Sequence, residues 1–401
     1  MEATLVGELP ERQNLVARLK GSRPGPTLLL LGHLDVVPAE AEEWSVPPFS
    51  GLVKDDYVWG RGAIDMKCQL AAEAVAVAML ARAHAEFAGE LVFAATADEE
   101  VGERCGARWL VEQRPDLVRC EYLLNEGGGT YVTVGDAALY TYTSGEKAFA
   151  QFRIRTRGKG GHGSVPLHEH NAVETLGRVI TALADHEAAV EIAPFTAHYI
   201  DRLVPDPQLA ARLKDPAAAR AAIREMHARG DENAYLIEPL LGITFSPTIA
   251  RAGGKAVNVI PSHAELDVDC RILPSQTAPE VEREVHAALA HLGDTWSFEW
   301  NDVTEGNESP ADTPLSRSLE RVLTTMVPRA ELLPVHLCGF TDSRWFRERL
   351  PGIVAYGFCP FLAEDSPTMG GREHAKDERI AAGDVPFQAL FFERVVRDLL
   401  A

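Results

Sequence analysis

The sequence predicts an α/β protein, in which a mainly parallel sheet with helices on both faces is interrupted by an inserted α+β domain with an antiparallel sheet. Three observations lead to this prediction. Apolar strands alternate with helical stretches in the first part of the chain, half-exposed alternating strands begin near residue 146, and helix and strand return near residue 310. We therefore predict one domain from residues 1–145 and 308–401, and an inserted domain from residues 146–307.

The first domain begins with a buried strand. The stretch LLLLGHLDVVP carries four consecutive leucines, and such an unbroken apolar run is typical of a strand buried on both faces of a parallel sheet. The strands predicted in this part are 27–32, 91–96 and 121–125, and the helices are 68–86 and 104–113. In sheets of this kind ligands bind at the carboxyl ends of the strands. His33 and Asp35 follow the first of these strands, and a run of three acidic residues follows the second.

The predicted inserted domain has a different pattern of apolar and polar residues. The stretches AFAQFRIRTRG and HAELDVDCRIL alternate apolar with polar residues, which predicts antiparallel strands with one solvated face. Helical stretches are predicted at 171–186 and 207–229. After this domain, GIVAYGF predicts a further strand of the first sheet.

The composition limits the classes of partner. The chain has 401 residues, 46% of them hydrophobic, which is enough for two or three domains with sizeable cores. Its 59 Asp and Glu against 39 Lys and Arg leave a net charge of -20, so we expect neither nucleic acid nor an anionic membrane as a partner. We find no basic-then-apolar leader and no bilayer-length apolar run. Six scattered cysteines without CxxC spacing predict reduced thiols and a cytoplasmic protein.

Acidic and histidine side chains recur at the predicted strand ends. Taken one at a time, a histidine after a strand is usually a hydrogen-bonded turn residue, and an acidic run is usually a solvated loop. Together they would gather negative charge at one edge of the sheet, which is costly unless a cation neutralises it. Histidine with carboxylate suits zinc first, with cobalt or manganese as alternatives, and one carboxylate between two ions could bridge them. The residues concerned are His33, Asp35, Asp65, Asp98, Glu99, Glu100, Glu126 and His374.

Five segments in order, GHLDVVP, GRGAIDMK, TADEE, NEGGG and REHAKDE, resemble the co-catalytic di-zinc aminoacylase/carboxypeptidase family. That family includes acetylornithine deacetylase, succinyl-diaminopimelate desuccinylase, glutamate carboxypeptidase, aminoacylase-1 and carboxypeptidase S. The resemblance covers essentially the whole chain from about residue 12, and this set of motifs is highly specific. It implies a metal-dependent hydrolase that cleaves the amide bond of an N-acyl amino acid or small peptide with a free carboxylate.

The resemblance implies two divalent ions, most readily Zn. One ion would be held by His33, Asp65 and Glu126, and the other by Asp65, Glu100 and His374. Asp65 would bridge the two ions, and the peptide bond after it would be cis, as it often is in this family.

Two further residues of this site have implied roles. Asp35 would orient the imidazole of His33. Glu99 would be the general base, taking a proton from a metal-bridged water so that hydroxide attacks the amide carbonyl, and delivering that proton to the leaving amine. A base of this kind must be free of the metal ions.

The inserted domain would act as a lid and dimerisation domain. KGGHGSVP places His162 as an oxyanion stabiliser, which in dimeric members comes from the partner chain of a homodimer. AGGKAVNVIP places Asn258 near the same oxyanion, and DCRILP places Arg271 as a clamp for the substrate carboxylate. Each of these residues alone could equally be a turn residue or a surface ion-pair partner.

Three departures from the family pattern bear on the substrate and the fold. CGFTDSRWF offers Gly339 as a backbone contact for the substrate carboxylate, but Phe340 replaces a second glycine and alters the pocket. The lid stretch 190–250 is long and, with NEGGG, favours the carboxypeptidase S-like branch. Only about 27 residues precede the first core strand, where relatives carry a helix and a strand, so the amino terminus is expected to be shortened.

Four further residues are interpreted as lying outside the chemistry, and three alternative functions remain open. We interpret Asp342 as structural, and His168, His170 and His336 as non-catalytic. The alternatives are a specific biosynthetic deacylase of the acetylornithine or succinyl-diaminopimelate type, a non-catalytic binder of amino-acid-like ligands, and a closed metal-storage site. A metal-free base beside the ligands, as predicted for Glu99, argues against the non-catalytic binder, whereas a metal-storage or structural site predicts closed coordination without an open water position.

Overall fold

The computed structural model describes residues 1–100, 105–166, 168–254 and 256–401. The chain forms two compact units, one from Met1–Gly145 with Glu308–Ala401 and the other from Glu146–Asn307. The predicted α/β class with an inserted antiparallel-sheet unit is confirmed.

The described residues of the first unit begin with nine strands and three helices. The strands are β1 (Glu2–Leu9), β2 (Arg12–Lys20), β3 (Arg23–His33), β4 (Leu52–Lys54), β5 (Tyr57–Trp59), β6 (Ala88–Thr96), β7 (Tyr122–Asn125), β8 (Tyr131–Val134) and β9 (Ala137–Glu146). The helices are α1 (Cys68–Arg82), α2 (Ala107–Gln113) and α3 (Pro115–Val118). A 3-10 turn covers Ala41–Glu43, and an irregular turn covers Ala63–Lys67. The start predicted for the second helix, residue 104, lies outside the described residues.

In the inserted unit, the part of the chain that the structure describes forms six strands and six helices. The strands are β10 (Ala148–Arg157), β11 (Gly161–His162), β12 (Thr244–Ala252), β13 (Val259–Ile260), β14 (His263–Ile272) and β15 (Trp296–Val303). The helices are α4 (Ala172–Asp185), α5 (Pro194–Leu203), α6 (Pro207–Leu213), α7 (Ala219–Ala228), α8 (Asn233–Ile237) and α9 (Ala278–Leu289). Short 3-10 segments cover His168–His170, Glu238–Leu241 and Ala290–Thr295.

The chain then returns to the first unit. Its last strands are β16 (Asn307–Glu308), β17 (Ala330–Leu337), β18 (Val354–Gly357) and β19 (Arg379–Ala381). Its last helices are α10 (Pro314–Met326), α11 (Ser343–Arg349), α12 (Ser366–Met369) and α13 (Asp384–Leu399).

The main sheet is mixed. Its central strands β6, β3, β7 and β18 are parallel to one another, whereas β2 pairs antiparallel with β6 on one side of them, and β9 pairs antiparallel with β18 on the other. The residues ahead of β3 form an antiparallel hairpin, β1–β2, which extends the sheet beyond β6. The predicted parallel order therefore applies to the centre of the sheet, which carries the strand ends of interest.

The leucine run occupies β3 between two parallel neighbours, and all four leucines are fully buried. Because successive side chains of a strand point to opposite faces, the run divides between two cores. Leu28 and Leu30 pack in the core that contains α1, α10 and α13, and Leu29 and Leu31 pack in the core that contains α2 and α11. Both faces of β3 are covered, as the unbroken run predicts.

The inserted unit is built on the antiparallel sheet β12-β14-β10-β15. Helices α4 and α9 pack on one face of it through the apolar side chains of β10 and β14. The stretch predicted as one helical segment at 207–229 is two helices, α6 and α7, because Pro216 lies in the turn between them and proline cannot continue a helix. The long lid stretch thus contains α5 to α8.

The described residues bear on membrane-spanning helices and on the pairing of cysteines. No helix within them is long and apolar enough to cross a bilayer. All six cysteines lie in the described part of the chain, and each is a free thiol.

Candidate metal centre

His33 is the last residue of β3, and its side chain is only 1% exposed. Its Nε2 lies 3.0 Å from Asp65 Oδ1 and 3.4 Å from Glu126 Oε2. Glu126 directly follows β7, the parallel neighbour of β3, which explains why the two side chains meet at one edge of the sheet. The strand ends therefore bring an imidazole and two carboxylates together.

Asp35 joins His33 to the acidic segment that follows β6. His33 Nδ1 lies 3.0 Å from the backbone carbonyl of Asp35 and 3.6 Å from its Oδ1, so the main chain makes the closer contact. The carboxylate instead accepts hydrogen bonds from the backbone N–H groups of Glu99, at 3.2 Å, and Glu100, at 3.0 Å. Burial alone would raise the pKa of Asp35, but the His33 ring and then the two backbone N–H groups outweigh it and hold the pKa below its ordinary value.

Asp65 lies in the irregular turn after β5, where Gly62 has φ of +79° and the Asp65–Met66 peptide is cis, as the resemblance implied. Its Oδ1 faces His33, and its Oδ2 lies 3.0 Å from His374 Nε2. One carboxylate thus presents each of its oxygens to a different histidine. That is the arrangement in which a carboxylate can bridge two cations.

His374 lies in the loop between α12 and β19, and its side chain is 52% exposed. Its Nε2 is also 3.2 Å from Glu100 Oε1. Glu100 therefore lies beside the second histidine, and its backbone is fastened to Asp35.

The acidic side chains of this cluster disfavour one another's ionisation. Burial, followed by the charges of Glu126 and Asp342, raises the pKa of Glu99 to about 10. Burial also raises the pKa of Glu126 to about 7, although its contact with His33 acts in the opposite direction. Burial and Asp65 raise the pKa of Glu100. For His33, burial opposes protonation, but the surrounding carboxylates prevail and raise its pKa.

The donor set fits a divalent cation of the zinc class. Among the described residues, two groups of three place their ligand atoms within 4.8 Å of one another: His33 with Glu99 and Glu126, and His33 with Asp65 and Glu100. Imidazole nitrogen with carboxylate oxygen is the ligand combination that Zn, Co and Mn accept. Glu99, which the resemblance implies to be free of metal, falls within the first group. His374 belongs to neither group of the described residues, although its Nε2 lies 3.0 Å from Asp65 and 3.2 Å from Glu100.

In the inserted unit, His162 and Asn258 belong to one two-stranded ribbon. His162 on β11 pairs with Val259 on β13, and the Gly163 N–H donates to the Asn258 carbonyl at 2.7 Å. The Ser164 backbone N–H donates to His162 Nδ1 at 3.2 Å. Because a backbone N–H can only donate, Nδ1 accepts, and a neutral His162 ring carries its proton on Nε2.

Arg271 already has an acidic partner. Its Nε and Nη2 donate to the two carboxylate oxygens of Asp269, at 2.7 and 3.1 Å. Its Nη1 is buried and has no hydrogen-bond partner among the described residues. The guanidinium thus retains one donor nitrogen without a partner among the described residues, and the clamp role that the resemblance implies for Arg271 stays a prediction.

The segment around Gly339 precedes α11. A Cβ placed on Gly339 would meet no heavy atom of the described residues within 4 Å, so packing does not require glycine there. The guanidinium carbon of Arg344 lies 5.4 Å from the centroid of the Phe340 ring. Asp342 is buried and accepts a hydrogen bond from Thr96 Oγ1 at 3.2 Å, which suits a structural residue.

The three histidines interpreted as non-catalytic are His168, His170 and His336. His336 is buried beside Glu308, with its Nε2 2.9 Å from Glu308 Oε2. His168 is exposed and contacts Glu174, and His170 is exposed. None of the three lies in the ligand groups found among the described residues.

Comparison with known proteins identifies the family of this chain. The family model described as peptidase family M20/M25/M40 matches residues 29–398. The chain belongs to this family. As an M20 member it is a hydrolase that acts on amide bonds.

Two curated relatives of this M20 chain are succinyl-diaminopimelate desuccinylases. The enzyme of Stenotrophomonas maltophilia is 28% identical over 310 residues, which is 76% of this chain and 68% of the relative. The enzyme of Methylorubrum extorquens is 26% identical over 396 residues, 96% of this chain and 86% of the relative.

Solved structures of M20 proteins share the fold. An M20 family metallo-carboxypeptidase, Sso-CP2 from Sulfolobus solfataricus, superposes with a TM-score of 0.72 at 17% identity, covering 99% of this chain and 90% of that one. Human carnosine dipeptidase 1 gives 0.67 at 16% identity over 99% and 87% of the two chains. Bacillus subtilis YXEP, described as a dinuclear metal binding peptidase, gives 0.60 at 15% identity over 99% and 88%.

Sequence reasoning on this M20 chain missed two buried residues beside the centre, Arg61 and Glu378. They form an ion pair at 2.7 Å, with side chains 4% and 1% exposed. Both lie inside the quoted stretches, Arg61 in GRGAIDMK and Glu378 at the end of REHAKDE. Their proximity to the motif histidine and aspartate was the available signal.

Proposed function

We propose that this chain is a two-metal amidohydrolase that cleaves the amide bond of an N-acyl amino acid or small peptide with a free carboxylate. One observation carries the proposal: the two oxygens of Asp65 each lie 3.0 Å from the Nε2 of a different histidine, His33 and His374. Each of these pairs has a further carboxylate, Glu126 at His33 and Glu100 at His374.

These five side chains are the proposed ligands. His33, Asp65 and Glu126 would hold one ion, and Asp65, Glu100 and His374 the other, most readily Zn, with Co or Mn as alternatives. The description of the Bacillus subtilis relative as dinuclear supports two ions. When bound, the ions supply a water of lowered pKa and polarise the substrate carbonyl.

Glu99 is the proposed general base. It takes a proton from the attacking water and returns it to the leaving nitrogen as the C–N bond breaks, so that the acid and the amine are released. Asp35 contributes by fixing the Glu99 backbone through its carboxylate and the His33 ring through its carbonyl.

The inserted unit is the proposed lid and homodimerisation domain. His162 would donate from Nε2 to the oxyanion, which the Ser164 contact to Nδ1 supports. Asn258 on the same ribbon would lie near that oxyanion. The unpaired Nη1 of Arg271 and the backbone N–H of Gly339 would hold the substrate carboxylate.

A second candidate is a specific deacylase that removes a succinyl group. The curated relatives favour it, because a desuccinylase is 26% identical across 96% of this chain. A screen of N-acetyl, N-succinyl and longer N-acyl amino acids together with dipeptides, each with added zinc, cobalt or manganese, separates the two. Turnover confined to N-succinyl substrates supports the deacylase, and binding without product formation supports a non-catalytic binder.

Metal analysis and Glu99→Ala test the mechanism. Protein prepared without chelator should contain about two ions per chain. Glu99→Ala should keep both ions and lose turnover by roughly 10²–10⁴-fold, the usual contribution of a general base. Glu112→Ala, on the exposed side of α2, is the matched control and should keep full turnover. Protein without bound ions, or an active Glu99→Ala variant, contradicts the proposal.

A further inference from the structure

Glu378 is a fully buried glutamate whose carboxylate is saturated by four donors. Its Oε2 accepts from Arg61 Nη1 at 2.7 Å and from the Gly62 backbone N–H at 2.8 Å. Its Oε1 accepts from the backbone N–H groups of Ile64, at 2.7 Å, and Asp65, at 3.1 Å. Since each oxygen already has two donors, Glu378 has no lone pair left for a metal ion and is not itself a ligand.

This carboxylate holds the turn that carries Asp65. Three backbone donors of the turn, at Gly62, Ile64 and Asp65, converge on one side chain that lies more than three hundred positions away in the sequence. A buried carboxylate is costly without such partners, and buried amides are costly without an acceptor. The turn and Glu378 therefore satisfy each other, and neither can move independently.

Arg61 extends the same contact to His374. Its Nη1 pairs with Glu378, and its Nη2 donates to the His374 backbone carbonyl at 3.2 Å. The guanidinium carbon also lies 5.2 Å from the centroid of the Trp44 ring, which covers it. A planar fork with fixed donor directions suits this double contact, whereas a lysine ammonium is a single point donor.

We propose that Glu378 and Arg61 are positioning residues that set the spacing between Asp65 and His374, and thereby the affinity for the ion these two residues share. The inference rests on the two-metal site proposed above. The buried pair then does more than stabilise the fold, because one ion pair holds both the Asp65 turn and the His374 loop in place.

The expected size of the effect follows from metal-site geometry. Ligand distances in a working site are held to about 0.2 Å, so even a small relaxation of the Asp65 turn misplaces its oxygens. Loss of a partner that orients a ligand typically costs 10- to 100-fold in metal affinity. His33 is held separately by β3, so its share of the site should be affected less.

The test uses Glu378→Gln, which keeps the volume but loses the charge and one acceptor oxygen. Asp267→Asn is the matched control, because Asp267 is also a largely buried carboxylate with several donors, among them Arg153 and Arg251, but it lies in the inserted unit. The measurements are the two cobalt dissociation constants by chelator competition, the visible spectrum of the cobalt-loaded protein, and the unfolding temperature of the metal-free protein.

In Glu378→Gln, one cobalt dissociation constant should rise by about 10- to 100-fold, and the cobalt spectrum should change. The other constant should rise by a smaller factor, because that ion also uses Asp65 but keeps His33 and Glu126. Asp267→Asn should leave both constants and the spectrum unaltered. Raising free cobalt should restore turnover in Glu378→Gln. If both constants and the spectrum stay at wild-type values while only the unfolding temperature falls, the pair is merely structural and the inference is wrong.

Two further results separate the possible failures. If the wild-type protein binds fewer than two cobalt ions, the two-metal proposal itself fails. If Glu378→Gln does not fold, Arg61→Lys decides the question, because it keeps the charge but cannot reach both Glu378 and the His374 carbonyl. The same selective loss of one cobalt ion supports the inference, and two unchanged constants overturn it.

Discussion

The two histidines of the candidate centre are held in opposite ways. His33 ends a central strand with parallel neighbours on both sides, and its side chain is 1% exposed. His374 lies in a loop outside the sheet, and its side chain is 52% exposed. We refer to β3 with His33 as the strand half of the site, and to residues 363–378 as the loop half.

Ion pairs fasten the loop half. Arg372 donates to both carboxylate oxygens of Glu364, at 2.7 and 2.9 Å. Asp377 accepts from the backbone N–H and the hydroxyl of Ser45, both at 2.8 Å. The strand half instead depends on apolar packing, so its integrity is tied to the stability of the whole unit. The difference means that folding and ion binding should respond separately to substitutions in the two halves.

The largest effects are expected from the two histidines. Either His33→Ala or His374→Ala should lower turnover by about a thousandfold, because several kcal/mol of metal-derived stabilisation are lost and each 1.36 kcal/mol is tenfold in rate. His33→Ala should lower the unfolding temperature of the metal-free protein more than His374→Ala does, since it empties a buried position whereas the His374 side chain is half exposed. Calorimetry of both variants checks this, and an equal loss of stability would remove the distinction between the halves.

A substitution in the core should separate folding from ion binding. Leu30→Ala empties a fully buried position in β3 and should lower the free energy of unfolding by about 2–5 kcal/mol. Ion affinity should change by less than about threefold, because the folded strand still ends at His33. Leu5→Ala, at a leucine that is 66% exposed on β1, is the matched control and should cost little. Denaturant titration measures the free energy of unfolding, and chelator competition measures ion affinity. Weakened ion binding without a loss of stability would contradict the distinction between the strand half and the loop half.

The smallest expected effect is an acid sensitivity of the loop half. Burial acts to raise the pKa of Glu364, but the hydrogen bonds from Arg372 and Tyr57 prevail and hold it below its ordinary value. A lowered folded-state pKa contributes stability above the ordinary glutamate pKa, and this contribution is lost as the pH falls through the folded-state value. The hydrogen-exchange protection factors of the loop half in the metal-free protein should therefore fall in acid before those of β3 do.

Glu364→Gln provides the comparison for this acid effect. It should speed exchange in the loop half at neutral pH and remove the acid-dependent step, while β3 is unchanged. If the acid-dependent step persists in Glu364→Gln, it arises from another titrating group.

The predictability of the two halves also differs. The leucine run and the residues after it identified β3 and the position of His33, because burial on both faces is a local property of the sequence. The structure brings His33, Asp65, Glu100, Glu126 and His374 together as the motif order suggested, while their roles stay proposals. The order of the motifs, and not any local pattern, carried that expectation.

Contacts between distant segments could not be predicted. The bond from Gly62 to Glu378 joins residues 316 positions apart, and the Asp269 partner of Arg271 depends on side-chain directions within the folded sheet. The closer contact of His33 with the Asp35 carbonyl, and not with its carboxylate, likewise depends on backbone conformation after the strand. Residue type shows what a side chain can bond to, but not which partner the fold supplies.

The alternation of the leucines in β3 has a consequence for insertions and deletions. Side chains of a strand repeat every two residues, so removal of one residue between Leu28 and His33 would exchange the leucines between the two helical layers. It would also turn the imidazole away from Asp65 and Glu126, or withdraw it by one strand position. Exchange of one leucine for another aliphatic residue of similar volume usually costs less than about 1.5 kcal/mol. In this strand, length is therefore constrained more tightly than composition.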